Sequence, residues 1–98
     1  MRKSGVTIDE RPVFADVYRF CGTHGLPLAI LIDEIERRFN GVIDWIDYIR
    51  QMRAEGANFN TIRARLLEAV DMPKKNKEEF TEKLDLAIEL VKHENNTH

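Results

Sequence analysis

Apolar residues recur at three- and four-residue steps along most of the chain, and short polar corners interrupt them. This spacing is typical of amphipathic α-helices, whose buried stripe returns about every 3.6 residues. The corners lie at 22–25, 40–41, 56–58 and 73–76, and they are rich in the Gly, Asn and Pro residues that cap or break helices. The pattern predicts an all-α fold, a compact single-domain bundle of four to five short helices.

The corners divide the bundle into its helices. The first is predicted to begin between Asp9 and Pro12, because proline suits the first turn of a helix. The second begins at Pro27 and has the broadest apolar surface, so we expect it to be the central helix. Asp and Asn residues mark the later starts, since their side chains cap free N–H groups. These later starts are assigned to Asp44, to Asn58 or Asn60, and to Asn76.

Two of these helices have apolar stripes that define much of the predicted core. The stripe of the second helix comprises Leu28, Leu31, Ile32, Ile35 and Phe39, and that of the fifth comprises Phe80, Leu84, Ala87, Ile88 and Val91.

The two ends of the chain fall outside the periodic region. Residues 1–8 are polar and contain no strand pattern longer than Val6–Ile8, so we expect a flexible N-terminal segment. Residues 9–93 are predicted to form the helical domain, and 94–98 a disordered tail. A length of 98 residues leaves room for one domain.

Composition and charge argue against several classes of protein. The chain has 15 basic and 17 acidic residues and no polybasic arm, which disfavours strong non-specific nucleic-acid binding. Cys21 is the only cysteine, so no intrachain disulfide can form. The longest uncharged apolar run, 26–32, is far shorter than the roughly 20 residues that cross a bilayer. We therefore expect a cytoplasmic protein without membrane contact.

No segment contains a recognisable motif for catalysis or for metal binding. Cys21 and His24 are the closest pair of soft ligands, but a zinc site generally needs four. A nucleophilic role for Cys21 would require a third, orienting group, which the sequence does not supply. No glycine-rich phosphate loop is present. These observations predict a protein that is not an enzyme, with no catalytic residues, metal, cofactor or small-molecule substrate.

The lack of catalytic motifs and the broad apolar second helix favour a non-enzymatic helical interaction module. We expect a small accessory or regulatory protein of a microbial or phage system that binds a protein partner and is capable of self-association. Phe20 and Phe59 fit their helical stripes poorly, and exposed aromatic residues often mark partner surfaces. They are the candidate partner-binding residues.

The alternative function is DNA binding. The segment 49–66 resembles the first two helices of a helix-turn-helix unit: a basic amphipathic helix is followed by Glu-Gly, a polar turn and a Thr-Ile helix start. The resemblance implies a helix-turn-helix-type regulator in the segment 42–92, whose next helix would enter the major groove. The candidate nucleic-acid contacts are Arg50, Arg53, Arg63, Arg65, Lys74, Lys75 and Lys77.

Overall fold

The computed structural model describes residues 2–8, 10–70 and 74–95, and within them the chain forms three strands and five helices. The fold is therefore mostly helical, and the prediction of an all-α bundle is corrected by a small sheet at the N-terminal end. The strands are β1 (Arg2–Ile8), β2 (Arg11–Ala15) and β3 (Val42–Ile43). The helices are α1 (Val17–His24), α2 (Leu28–Phe39), α3 (Trp45–Ala54), α4 (Phe59–Ala69) and α5 (Lys74–Asn95).

The sheet has the strand order β1-β2-β3, with β1 antiparallel and β3 parallel to the middle strand. Val13 lies opposite Val42, and Phe14 lies opposite Ile43. The Asp44 N–H donates to the Phe14 carbonyl at 2.9 Å, which continues this pairing to the start of α3. The short strand β3 thus ties the N-terminal hairpin to the helical part of the molecule.

The prediction that a first helix begins between Asp9 and Pro12 is wrong, because β2 occupies 11–15. Val13, Phe14 and Ala15 are all buried. Three consecutive buried residues fit a strand that is covered on both faces, whereas a helix would turn one of them outward. Asp16 then takes a left-handed conformation, with φ 58°, and α1 begins at the next residue.

Both ends of the chain contain regular structure where the sequence predicted none. Residues 2–8 pair with β2 as β1, with Arg2 opposite Ala15 at one end of the ladder. The flexibility expected of this segment stays a prediction. Helix α5 continues to Asn95, and the last three residues of the predicted tail, 96–98, lie outside the described residues.

The predicted helix boundaries are confirmed where a local cap determines them. Asp44 accepts the Asp47 N–H at 3.0 Å, and Asn58 accepts the Thr61 N–H at 2.8 Å, so each caps the helix that follows. Asn40 ends α2 in a left-handed conformation, with φ 50°. The fifth helix begins at Lys74 and not at Asn76.

The core is centred on α3, which packs against α1, α4 and α5, whereas α2 packs mainly against β3. The expectation that the second helix is central is therefore wrong. All five apolar residues predicted for the fifth helix are buried. In α2, however, Phe39 remains 46% exposed, because it lies at the helix end beside Phe14 and not inside the core.

Candidate functional site

A groove lies between α2 and α5, and residues of β2, β3 and the first turn of α3 contribute most of the rest of its lining. Its volume of about 790 Å³ is within the range typical of binding sites. Leu86 and Leu90 line it from α5, and Ile32 and Ile35 line it from α2. Trp45, the only tryptophan of the chain, also faces it. The groove is therefore mainly apolar.

Two contacts hold the C-terminal end of α2 against the sheet and so shape one side of the groove. The Arg11 guanidinium donates to the carbonyls of Asn40 and Gly41, each at 3.0 Å. At Gly41 a Cβ atom would lie 2.5 Å from a Phe14 ring carbon and 2.9 Å from Ile35 Cγ2. Glycine at this position therefore permits a close approach of the chain that any side chain would obstruct.

Leu86 and Leu90 are the most distinctive residues of the groove. They lie one helical turn apart and outside the buried stripe of α5. Their exposed fractions are 66% and 51%, whereas Leu84 on the inner side is 0% exposed. Exposed apolar residues that are grouped and bordered by polar groups often mark a binding surface. The sequence offered a signal for them, because two leucines four residues apart fall outside the predicted stripe.

The opposite end of the groove is aromatic. The rings of Trp45 and Phe80 meet edge to face with centroids 5.1 Å apart, and Tyr48 lies 5.5 Å from Trp45. Burial raises the pKa of Tyr48 to about 12. Tyr48 therefore remains a neutral packing residue at physiological pH, and the ring cluster anchors α3 to α5 beside the groove.

Carboxylates outnumber cations around the groove. We call Glu36, Glu79 and Glu82 the acidic rim: the first two line the groove, and the third lies on the same outward side of α5. Within residues 2–8, 10–70 and 74–95, none of these three carboxylates forms an ion pair. Lys83 lies among them, and Arg11 is bonded to backbone carbonyls. The groove and its rim are therefore negative on balance, with these three carboxylates against two cations.

A second depression, of about 430 Å³, lies between α1 and α3 and is more polar. Polar groups in and beside it bond to one another: the Tyr18 hydroxyl donates to Glu55, and this hydrogen bond raises the pKa of Tyr18. The Gln51 amide donates to Asp16 and to Asp47, each at 3.0 Å. Because these polar groups stabilise the junction between the sheet and α3, the groove is the better candidate site.

The two aromatic residues predicted to bind a partner lie outside the groove lining. Phe20 is half-buried and its ring lies 4.4 Å from that of His24. Phe59 is half-buried, with Arg53 4.5 Å and Lys92 5.4 Å from its ring centroid. Both also pack against the core. Their role as partner contacts stays a prediction, and each already has an intramolecular environment that explains its position.

Several arginines of the DNA-binding alternative already have partners within the protein. Arg50 forms a two-pronged ion pair with Glu94, whose pKa is lowered by this hydrogen bond. Arg63 Nε lies 2.8 Å from an Asp85 carboxylate oxygen. Arg53 donates to a backbone carbonyl in addition to its contact with Phe59. These pairs reduce the positive charge available to phosphates.

The remaining candidates for nucleic-acid contact differ in position. Arg65 is exposed on α4, and Lys77 is half-buried in the first turns of α5, where its carbonyl accepts the Thr81 hydroxyl. Lys74 and Lys75 begin α5, and their side chains lie outside the described residues.

The candidates for metal or nucleophilic chemistry, Cys21 and His24, lie in the C-terminal half of α1. Cys21 is half-buried, and burial raises the pKa of its thiol, which disfavours the reactive thiolate. His24 is exposed. In the part of the chain that the structure describes, no three or more His, Cys, Asp or Glu side chains converge as a metal site would require. No helix in this same part combines the length and the apolar character of a membrane span.

Comparisons with protein-family models, with curated proteins and with solved structures found no match to this chain. The geometry and charge of the groove are therefore the observations that bear on function.

Proposed function

We propose that this protein is a non-enzymatic interaction module whose groove between α2 and α5 binds a protein partner. The exposure of Leu86 and Leu90 supports this proposal most directly. Removing apolar area from water contributes about 25 cal/mol per Å², so covering two leucines would favour association. An apolar centre surrounded by polar residues is also the usual anatomy of a protein interface.

A small size and the lack of a catalytic motif suit an accessory or regulatory role, and we extend the proposal to such a role in the cytoplasm of a microbial or phage system. Self-association is one form that partner binding could take. Neither the sequence nor the groove contains a feature that assigns a reaction to the protein.

Site-specific photo-crosslinking in the cells that make the protein tests this function. A photoreactive amino acid at position 86 should give a discrete crosslinked species, because this side chain faces the groove. The matched control places the same amino acid at Ala64, which is exposed on α4 and does not line the groove. Identical crosslinking from both positions, or none from position 86, would contradict the proposal.

The DNA-binding alternative remains a second proposal, favoured by the packing of α5 against both α3 and α4. The ion pairs of Arg50 and Arg63 weigh against it. It predicts retardation of DNA at low salt that weakens when Arg65 or Lys75 is replaced by Ala, because each such contact neutralises a phosphate. Unchanged DNA mobility at low salt would remove this alternative.

A further inference from the structure

We propose that the occupant of the groove is a basic amphipathic α-helix of another protein. This inference rests on the proposed function, since it names the kind of partner that the groove would accept. Three properties of the site lead to it: the shape between α2 and α5, the charge of the acidic rim, and the lack of a matching surface among the described residues of a second copy.

The shape of the groove favours a helix over an extended peptide. Its α5 side runs from Asn76 to Leu90, which at 1.5 Å per residue is about 21 Å, or about four helical turns. Leucine side chains one turn apart can interdigitate with the side chains of a helix packed beside them. An added strand would instead need a long free sheet edge, and β3 has only two residues.

The charge of the site selects a basic helix. Glu79 and Glu82 precede the exposed leucines along α5, and Glu36 lines the groove from α2. Lys or Arg residues beside the apolar stripe of a partner helix would meet these carboxylates. Complementary charge of this kind raises the association rate and excludes partners of the wrong sign. Nucleic acids and anionic membranes are therefore poor occupants.

A second copy of the chain fits this site less well. Joining two α5 surfaces in parallel would bring the acidic rim of one copy against that of the other. In the described part of the chain, the other exposed large apolar residues are Leu26, Ile30 and Phe39. They do not form a stripe with a helical period, and Phe39 already contacts Phe14 and Lys3. No described helix therefore supplies a basic amphipathic surface that would fill the groove.

Three synthetic peptides of about 15 residues, matching about four helical turns, test the inference directly. One is an amphipathic Leu/Lys helix, one is its Leu/Glu counterpart, and one is the Leu/Lys peptide with two central prolines. Trp45 fluorescence reports binding, because this residue is the only tryptophan and faces the groove. We expect the Leu/Lys helix to bind at least about tenfold more tightly than either control, a difference of about 1.4 kcal/mol.

Variants of the protein link that binding to the groove. We expect Leu86→Ser with Leu90→Ser, and separately Glu79→Lys with Glu82→Lys, to weaken binding of the Leu/Lys helix by about tenfold or more. Added salt should weaken binding to the wild-type protein. The control is Glu68→Lys, which makes one such Glu-to-Lys change at an exposed position on α4 and should leave affinity unchanged.

The inference is overturned if none of the peptides binds at submillimolar concentration, if the Leu/Glu or proline peptide binds equally well, or if the Leu86 and Leu90 variant binds like wild type. A wild-type dimer that Leu86→Ser dissociates would also overturn it, with a second copy as the occupant. If crosslinking from position 86 still succeeds in any of these cases, the proposed function stands and only the basic helix is excluded.

Discussion

The two sides of α5 both contain leucine but have different surroundings. The inner side places Phe80, Leu84 and Val91 in the core, where they are almost inaccessible to water. The outer side exposes Leu86 and Leu90 in the groove. Leucine therefore occurs on both sides of one helix, and only the inner set is used by the fold. The packing of this chain does not account for the exposure of the outer pair, whereas a bound partner would cover it.

The largest effect should come from the inner side. Leu84→Ala would leave a cavity at a residue that is 0% exposed, and such changes cost about 2–5 kcal/mol of the free energy of unfolding. Urea denaturation followed by circular dichroism measures the loss. Leu86→Ala is the matched control on the outer side of the same helix, and it should change stability by less than about 0.5 kcal/mol. Equal losses for the two variants would abolish the contrast between the sides.

The aromatic cluster at the end of the groove packs beside the buried side of α5. Because it contains Tyr48, the stability of the folded protein should depend on pH in the alkaline range. The pKa of Tyr48 is about 12 in the folded protein, above the unperturbed value near 10. The unfolded state therefore loses its proton first, and stability falls as pH rises from about 10 to 12, by about 2 kcal/mol. Denaturation of wild type and Tyr48→Phe over this range gives the comparison.

The Tyr48→Phe variant should show a shallower decline, because it has no hydroxyl to titrate at this position. Some decline remains, since burial also raises the pKa of Cys21 and a hydrogen bond raises that of Tyr18. Identical pH profiles for the two proteins would show that Tyr48 is not a buried, neutral residue.

A smaller effect is expected at Phe59 of α4, whose exposure is intermediate between that of the core residues and that of the outer leucines. Phe59→Ala removes a half-buried ring and its contacts with Arg53 and Lys92, so we expect a loss of about 1–2 kcal/mol of stability. Binding of the Leu/Lys helix should be unchanged, because Phe59 does not line the groove. Weaker binding with unchanged stability would instead support the sequence-based prediction that Phe59 contacts a partner.

The smallest effect is expected at the exposed ion pair between α3 and α5. Glu94→Gln removes the carboxylate whose pKa is lowered by Arg50. The contribution of such a carboxylate is present above its unfolded pKa and disappears as pH falls through the folded value. Because the pair is exposed, denaturation midpoints at neutral pH should differ from wild type only slightly, and those at low pH should coincide.

Much of the helical framework could be predicted because it is encoded locally. Asp44 and Asn58 cap helices through N–H groups three positions ahead, and the left-handed Asn40 ends α2 next to a glycine. The inner stripe of α5 could also be read from its spacing. These features depend on neighbours within one or two turns, so the sequence alone contains them.

The sheet and the groove depend on residues that are distant in the sequence. The local spacing around Val13 is equally compatible with a helical stripe, and only its pairing with Val42 identifies it as part of a strand. Leu86 and Leu90 could have been noticed as a pair outside the stripe. Their position across the groove from Ile32 and Glu36 could not be predicted from the sequence, because it depends on how Arg11 holds α2 against the sheet.

The parallel pairing of β2 and β3 has a consequence for the order of folding. Arg11 and Asn40 are joined by a hydrogen bond although they lie 29 positions apart, so a long loop must close before this contact forms. Closing a long loop costs more entropy than forming a contact between residues close in the sequence, and contacts at high sequence separation slow folding. During synthesis β2 leaves the ribosome before its parallel neighbour exists. The hairpin of β1 and β2 must therefore wait for α1 and α2 to emerge before β3 can complete the sheet.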